Sequence, residues 1–222
     1  AYWGILWIGG GEDPYSLEHN LIRKIDIFLL GESHLYGGTG IQFDPEGLLS
    51  TIPSVVTVLI GYLVGSMLHT TKDFLDNVKR MSTFGIGLII VGVIWGLLFP
   101  INKQLWTSSY VLFTGGIATL ILSSLCFMID IKKWKKPLWV FQIFGTNSIF
   151  LFVLSGLWTK IILRLRFDLE GQSISGYGYL YKTLFVPIGG DMFGSFLFAF
   201  AHLVGFWLIL LWLYRKKIFI NL

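Results

Sequence analysis

Charge, cysteine and histidine are all scarce in this 222-residue chain, and each scarcity excludes something. Asp, Glu, Lys and Arg together make up 14% of it, against 54% hydrophobic residues, and the mean hydropathy of +0.70 rules out an ordinary soluble domain. The one cysteine, Cys126, lies in an apolar run, so no intrachain disulfide can form. Four scattered histidines and that single thiol lack the ligand spacing of a metal centre. No GxSxG is present, and Gly37-Gly38-Thr39-Gly40 has neither the preceding strand nor the following Lys-Ser/Thr helix of a phosphate cradle. No internal repeat and no Gly/Ser- or Pro-rich linker divides the chain, so residues 1–222 are expected to form one membrane domain.

What is present is a series of uncharged stretches: 47–71, 81–102, 104–129, 137–159 and 192–214. Each reaches the roughly 20 apolar residues that a helix needs to cross a bilayer. The fold class expected is all-α, a polytopic transmembrane helix bundle with spans at about 1–9, 47–69, 82–101, 106–129, 138–160 and 192–214. Residues 1–9 start mid-run on a residue other than Met and are expected to end a sixth span, which makes the chain a piece of a longer protein. Two longer external loops, 10–46 and 166–191, complete the frame.

Orientation follows from the basic residues. The segments 72–80, 130–136 and 215–222 hold ten of them against three acids, whereas seven basic and ten acidic residues are spread over the longer remainder. The positive-inside rule therefore places the C-terminus in the cytoplasm and both long loops in the periplasm or a lumen. The net charge of +4 is accounted for by these span ends, which form no continuous nucleic-acid-binding face. Residues 20–30 carry Leu21, Ile22, Ile25 and Leu29 at near-helical spacing and are expected to form a short amphipathic helix.

Several polar groups stand where spans meet water. Asp44-Pro45-Glu46-Gly47 resembles a helix start: Asp can cap, Pro suits the first turn and Glu complements the positive helix end. Capping and a substrate site are equally good readings of that motif. Asn102-Lys103-Gln104-Leu105-Trp106 opens another span on the same side, either as cap and interfacial anchor or as a sugar site with amide, ammonium and indole. His34 in the external loop is an acid or base candidate. Within spans, Asn147, Ser148 and Ser155 form a polar stripe, and His202 is an ionisable group at depth; both are channel candidates or helix-to-helix bonds. Lys132, Lys133, Arg215 and Lys216 are candidates for the phosphates of a cytoplasmic donor, although topology alone also explains them. Gly61-xxx-Gly65 and Gly92-xxx-Gly96 suit close helix packing.

Taken in order, Gly31-Glu32-Ser33-His34-Leu35-Tyr36, Phe43-Asp44-Pro45-Glu46-Gly47-Leu48-Leu49-Ser50-Thr51-Ile52, Asn102 to Tyr110, Asn147-Ser148-Ile149 and Tyr214 to Phe219 resemble the C-terminal half of the heparan-alpha-glucosaminide N-acetyltransferase family and its bacterial membrane relatives. The resemblance implies an integral membrane acyltransferase, in a bacterial inner membrane, that moves acetyl from cytoplasmic acetyl-CoA to an external amino sugar or glycan. It implies no metal and no nucleic acid. The implied partners are the bilayer, the N-terminal half of the same protein and a second copy as homodimer. The family's proposed catalytic His belongs to that N-terminal half, so this piece alone is expected to be inactive. The family's lysosomal member has a His-Glu pair where this chain has Ser155-Gly156. His34, Asp44, Glu46, Asn102, Lys103 and Trp106 become acceptor-side candidates. The alternative is a multi-span transporter of a small polar solute, which would share His202 and Asn147 but call for repeats and interrupted spans.

Overall fold

In the computed structural model the described residues are 1–38, 40–68 and 73–220, Pro137 by its backbone alone. They form an all-α polytopic bundle with a single two-stranded hairpin among the described residues. Four helical stretches, 48–67, 74–96, 108–131 and 176–215, are long and apolar enough to cross a bilayer, and a bent helix pair over 139–164 makes a fifth if it counts as one span. His69, the last residue of one expected span, and Lys72, in an expected cytoplasmic segment, lie outside the described residues. The chain divides into two compact units, Ala1–Trp134 and Lys135–Leu222.

The first unit contains α1 (Tyr2–Gly10), α2 (Leu21–Leu30), α3 (Thr51–Met67), α4 (Phe74–Gly96) and α5 (Ser108–Cys126), the last continuing as a π-helical turn, Phe127–Ile131. The amphipathic helix expected over 20–30 is α2. Its first turn is capped by the Asn20 side chain, which accepts the Arg23 N–H at 2.9 Å. Lys24 on the same helix donates its ammonium to the carbonyls of Gly9 and Gly10, satisfying the end of α1 with a cation, as the helix dipole favours. Helices α4 and α5 touch through their backbones. A Cβ on Gly92 would lie 2.7 Å from the Phe113 nitrogen, and one on Gly116 would lie 2.6 Å from the Gly85 oxygen. Small residues thus replace the missing hydrophobic drive between membrane helices with contact area, and Ser123 adds a hydrogen bond to the Val78 carbonyl at 3.0 Å. Gly61 and Gly65 have no such role, since added Cβ atoms there would meet nothing within 4 Å.

The second unit contains α6 (Trp139–Thr146), α7 (Ser148–Arg164), the antiparallel pair β1 (Arg166–Leu169) and β2 (Gln172–Ser175), α8 (Gly176–Leu180), a π-helical turn (Tyr181–Phe185) and α9 (Val186–Arg215). The continuous span expected over 138–160 is instead two helices meeting at 76°. The break falls on Asn147, whose backbone leaves the helix (φ −136°, ψ 41°). Its buried amide is committed to the C-terminal tail: Nδ2 donates to the Ile218 carbonyl at 3.1 Å and Oδ1 accepts the Ile220 N–H at 2.8 Å. Two satisfied bonds per side chain compensate the helix bonds lost at the break. Ile143 of α6 is fully buried against Leu210 and Leu213 of α9, so α6 packs on the last turns of α9. The straight length falls to the 17 residues of α7, about 25 Å at 1.5 Å per residue, the lower limit for a spanning helix and short of a hydrocarbon core of about 30 Å.

Candidate functional site

Two segments distant in sequence are brought together by one apolar cluster. Phe43 and Leu105 are both essentially inaccessible and pack with Tyr2, Leu6, Ile22 and Phe99. The residues that follow each anchor are thereby held at one surface. Asp44, Pro45 and Glu46 face Lys103, Gln104 and Trp106 across a cleft of about 580 Å³, with Tyr36 as a further wall. The Phe43 N–H donates to the Tyr36 carbonyl at 3.0 Å, which holds Tyr36 beside the buried anchor.

Each wall has its own local reason. Asp44 does not cap a helix, contrary to expectation. Its Oδ1 accepts the Glu46 N–H at 2.9 Å and its carbonyl accepts the Gly47 N–H at 3.1 Å, which makes a tight turn ahead of the span. The helical path begins only at Leu48, with a 3-10 turn leading into α3. The Leu48 amide is satisfied from elsewhere: Oδ1 of Asp26, on α2, accepts it at 3.1 Å. Asp26 is fully buried, and its second oxygen, Oδ2, has no hydrogen-bond partner among the described residues. A Cβ at Gly47 would stand 2.1 Å from that oxygen, so only glycine lets the loop lie over the carboxylate. Burial pushes the Asp26 carboxyl above its ordinary value; the Leu48 N–H opposes the shift and the negative charge of Asp44 adds to it.

On the facing wall, Asn102 Oδ1 accepts the N–H groups of Gln104 (2.8 Å) and Leu105 (3.4 Å), so its amide shapes the turn that presents Lys103 and Gln104. Thr107, not Asn102, caps α5, accepting the Tyr110 N–H while donating to the Pro100 carbonyl at 2.8 Å. Trp106 takes a left-handed backbone (φ 48°), a conformation of order 1–3 kcal/mol in cost for a non-glycine residue. Its indole packs edge-on to Tyr110 and its Nε1–H reaches the Thr57 hydroxyl at 3.4 Å. The cleft therefore offers two carboxylates, an ammonium, an amide, a phenol and an aromatic face. That set suits a small polyhydroxylated ligand bearing an amine.

The remaining candidates fall elsewhere. His34 is exposed, beside the Ser33 hydroxyl at 3.3 Å, and does not line the cleft although Tyr36 of the same motif does. Asn147 ties down the tail, and Ser148 is exposed. Ser155 is spent within its own helix, donating to the Phe152 carbonyl at 3.0 Å. His202 lines an apolar cavity of about 380 Å³ with Trp158, Phe198 and Phe206, and its Nδ1 lies 2.8 Å from the Phe198 carbonyl. A carbonyl only accepts, so this contact assigns a proton to Nδ1. Lys132 and Lys133 close the first unit, the former with its ammonium 5.6 Å from the Phe127 ring, while Arg215 and Lys216 end α9.

Sequence reasoning missed Asp26, Tyr36 and Gln104 as individual site residues. Asp26 did leave a signal, because it follows Ile22 by four residues on the apolar stripe of α2, where a carboxylate requires a partner.

No protein-family model matches the chain. In an alignment 147 residues long that covers 58% of the chain, it is 34% identical to heparan-alpha-glucosaminide N-acetyltransferase of Mus musculus, and it is 34% identical over 146 aligned residues to the enzyme of that name from Homo sapiens. The match spans 22% of each relative. The resemblance seen in the motifs is thus borne out, for a chain that covers a minor part of the proteins it resembles.

Proposed function

We propose that this chain is part of an integral membrane acetyltransferase, and that the Asp44–Trp106 cleft holds its acceptor, an amino sugar or glycan on the periplasmic or lumenal side. The donor in this reading is acetyl-CoA, approached from the cytoplasm. The observation that carries the reading is the meeting of three separate motifs, around Tyr36, Asp44 and Lys103, in one polar cleft. The similarity to heparan-alpha-glucosaminide N-acetyltransferases supports the reaction class.

The chemistry assigns work to each wall. The indole of Trp106 stacks on a sugar ring, while Asp44 and Glu46 accept hydrogen bonds from its hydroxyls and orient the amine. The carboxylates draw the amine in as its cation, but it must be neutral to attack the acyl carbon. As the C–N bond forms the acyl–sulfur bond of the thioester breaks, coenzyme A leaves with the sulfur, and the proton lost by the amine passes to Asp44 or Glu46 as general base. Lys103 and Gln104 donate to acceptor oxygens.

The test uses the full-length protein in membranes, assayed for acetyl transfer to glucosamine. Asp44→Asn, Glu46→Gln and Trp106→Ala are each expected to lower kcat/KM about tenfold or more, the worth of one hydrogen bond to a charged group or one ring contact. Acetyl-CoA hydrolysis without acceptor should persist. Three variants that fold and transfer at the wild-type rate would refute the assignment.

A further inference from the structure

The end of the second unit that holds α6 and the C-terminal tail has a composition unlike the rest of the molecule. Lys135 and Lys136 lead into α6, and Arg215, Lys216 and Lys217 follow α9; all five are exposed, and no acid occurs in 135–165 or 192–222. The Asn147 amide folds the tail back onto the α6–α7 break through its bonds to Ile218 and Ile220, so the tail cations and the end of α6 belong to one surface. Trp207 reinforces the arrangement from α9, its indole N–H reaching the Val140 carbonyl of α6 at 3.4 Å with the ring edge-on to Trp139.

Apolar groups are exposed among these cations. Helix α6 buries Ile143 yet exposes Phe141 (68%) and Trp139 (43%), and the tail exposes Phe219 (50%) beside Ile218 and Ile220. Helix α6 also leaves the direction of its span by 76°. A short helix turned away from the span axis, apolar on its outer face and bordered by lysines, has the physical form of an element lying in the headgroup layer. Aromatic rings at the acyl boundary and ammonium or guanidinium groups above them fit an amphiphile with a negative head. A soluble nucleotide would satisfy the cations and stack its base on one ring, leaving the other rings and the aliphatic Ile218 and Ile220 in water.

We propose that α6 and the clamped tail together form a binding surface for anionic phospholipid, with Lys135, Lys136, Arg215, Lys216 and Lys217 on the phosphates and Trp139, Phe141 and Phe219 among the upper acyl carbons. Asn147 is the positioning residue that makes one surface of two segments. The surface shares no residue with the acceptor cleft and stands whether or not acetyl transfer proves to be the reaction.

The experiment is native mass spectrometry of the full-length protein released from nanodiscs of phosphatidylcholine with or without phosphatidylglycerol, counting retained lipids. Wild type is expected to retain phosphatidylglycerol in preference to phosphatidylcholine. Each basic residue near an anionic surface is worth about 1 kcal/mol, so each of Arg215→Gln, Lys216→Gln and Lys217→Gln should lower that preference roughly fivefold. Asn147→Ala should reduce it with all five charges still present. Because the charge variants alter exposed side chains only, they keep the test open if Asn147→Ala fails to fold. An unchanged lipid preference in the triple glutamine variant would overturn the proposal. So would displacement of the lipid by free coenzyme A, which would assign the cations to donor phosphates instead.

Discussion

Replacing Asp26 tests whether the Asp44–Gly47 loop is held from beneath. The wild-type carboxylate is fully buried, accepts one backbone N–H, from Leu48, and has a second oxygen unpartnered among the described residues. Asp26→Ala leaves the Leu48 amide without its acceptor, which costs about 1–3 kcal/mol, and opens space beneath Gly47. Asp26→Asn keeps the acceptor oxygen and removes a charge that burial and Asp44 both disfavour, so near neutral pH it should lie within about 1 kcal/mol of wild type. The sign with pH follows from the raised carboxyl. Wherever the folded state binds the proton more tightly than the unfolded state, stability falls as pH rises. The window opens at the ordinary value of 3.8 and closes above the raised one. Wild type should lose stability across that interval relative to Asp26→Asn, and the difference should level off at higher pH. Thermal unfolding of the detergent-solubilised full-length protein across acid and neutral pH measures both effects. An Asp26→Ala variant as stable as wild type, or a wild-type minus Asp26→Asn difference that ignores pH, would refute the argument.

Gly47→Ala would bring a methyl within 2.1 Å of Asp26 Oδ2 and 2.7 Å of the Ile22 side chain, so a loss of about 1–3 kcal/mol is expected, partly relieved when combined with Asp26→Ala. Additive losses in that double mutant, read from unfolding midpoints, would contradict the contact. Gly116→Ala would push α5 off α4, where the Gly85 oxygen stands 2.6 Å from the added Cβ; unfolding at markedly lower temperature is expected, whereas Gly61→Ala, whose Cβ meets nothing within 4 Å, should be near neutral.

How much of this could be read from the residues depends on the range of the interaction involved. The spans and the amphipathic helix at Leu21–Leu30 follow from local composition and periodicity, and Asn20 supplied a cap within four residues of its target. Asp44-Pro45-Glu46 misled because a capping motif is defined only by which N–H its carboxylate reaches. Asp44 turns back to Glu46, and the amide at the span's start is taken by Asp26, 22 residues earlier. Asn147 misled for the same reason. An uncharged run gives no sign that one amide within it prefers two partners more than 70 residues away. Ser155 reads as part of a polar stripe, but hydroxyls on a helix can bond to their own preceding turn, and those of Ser155 and the following Thr159 do.

The sequence by itself determined the membrane character, the number of apolar stretches and the motifs that carry the resemblance, because hydropathy and spacing act within a few residues. Only the tertiary structure decided which of those motifs share a site. Phe43 and Leu105, 62 positions apart, are buried in one cluster, and the polar residues beyond them meet because their anchors do. The same holds for Asp26 under Gly47 and Asn147 on the tail: a buried polar group must find a partner, and where that partner lies is a property of packing.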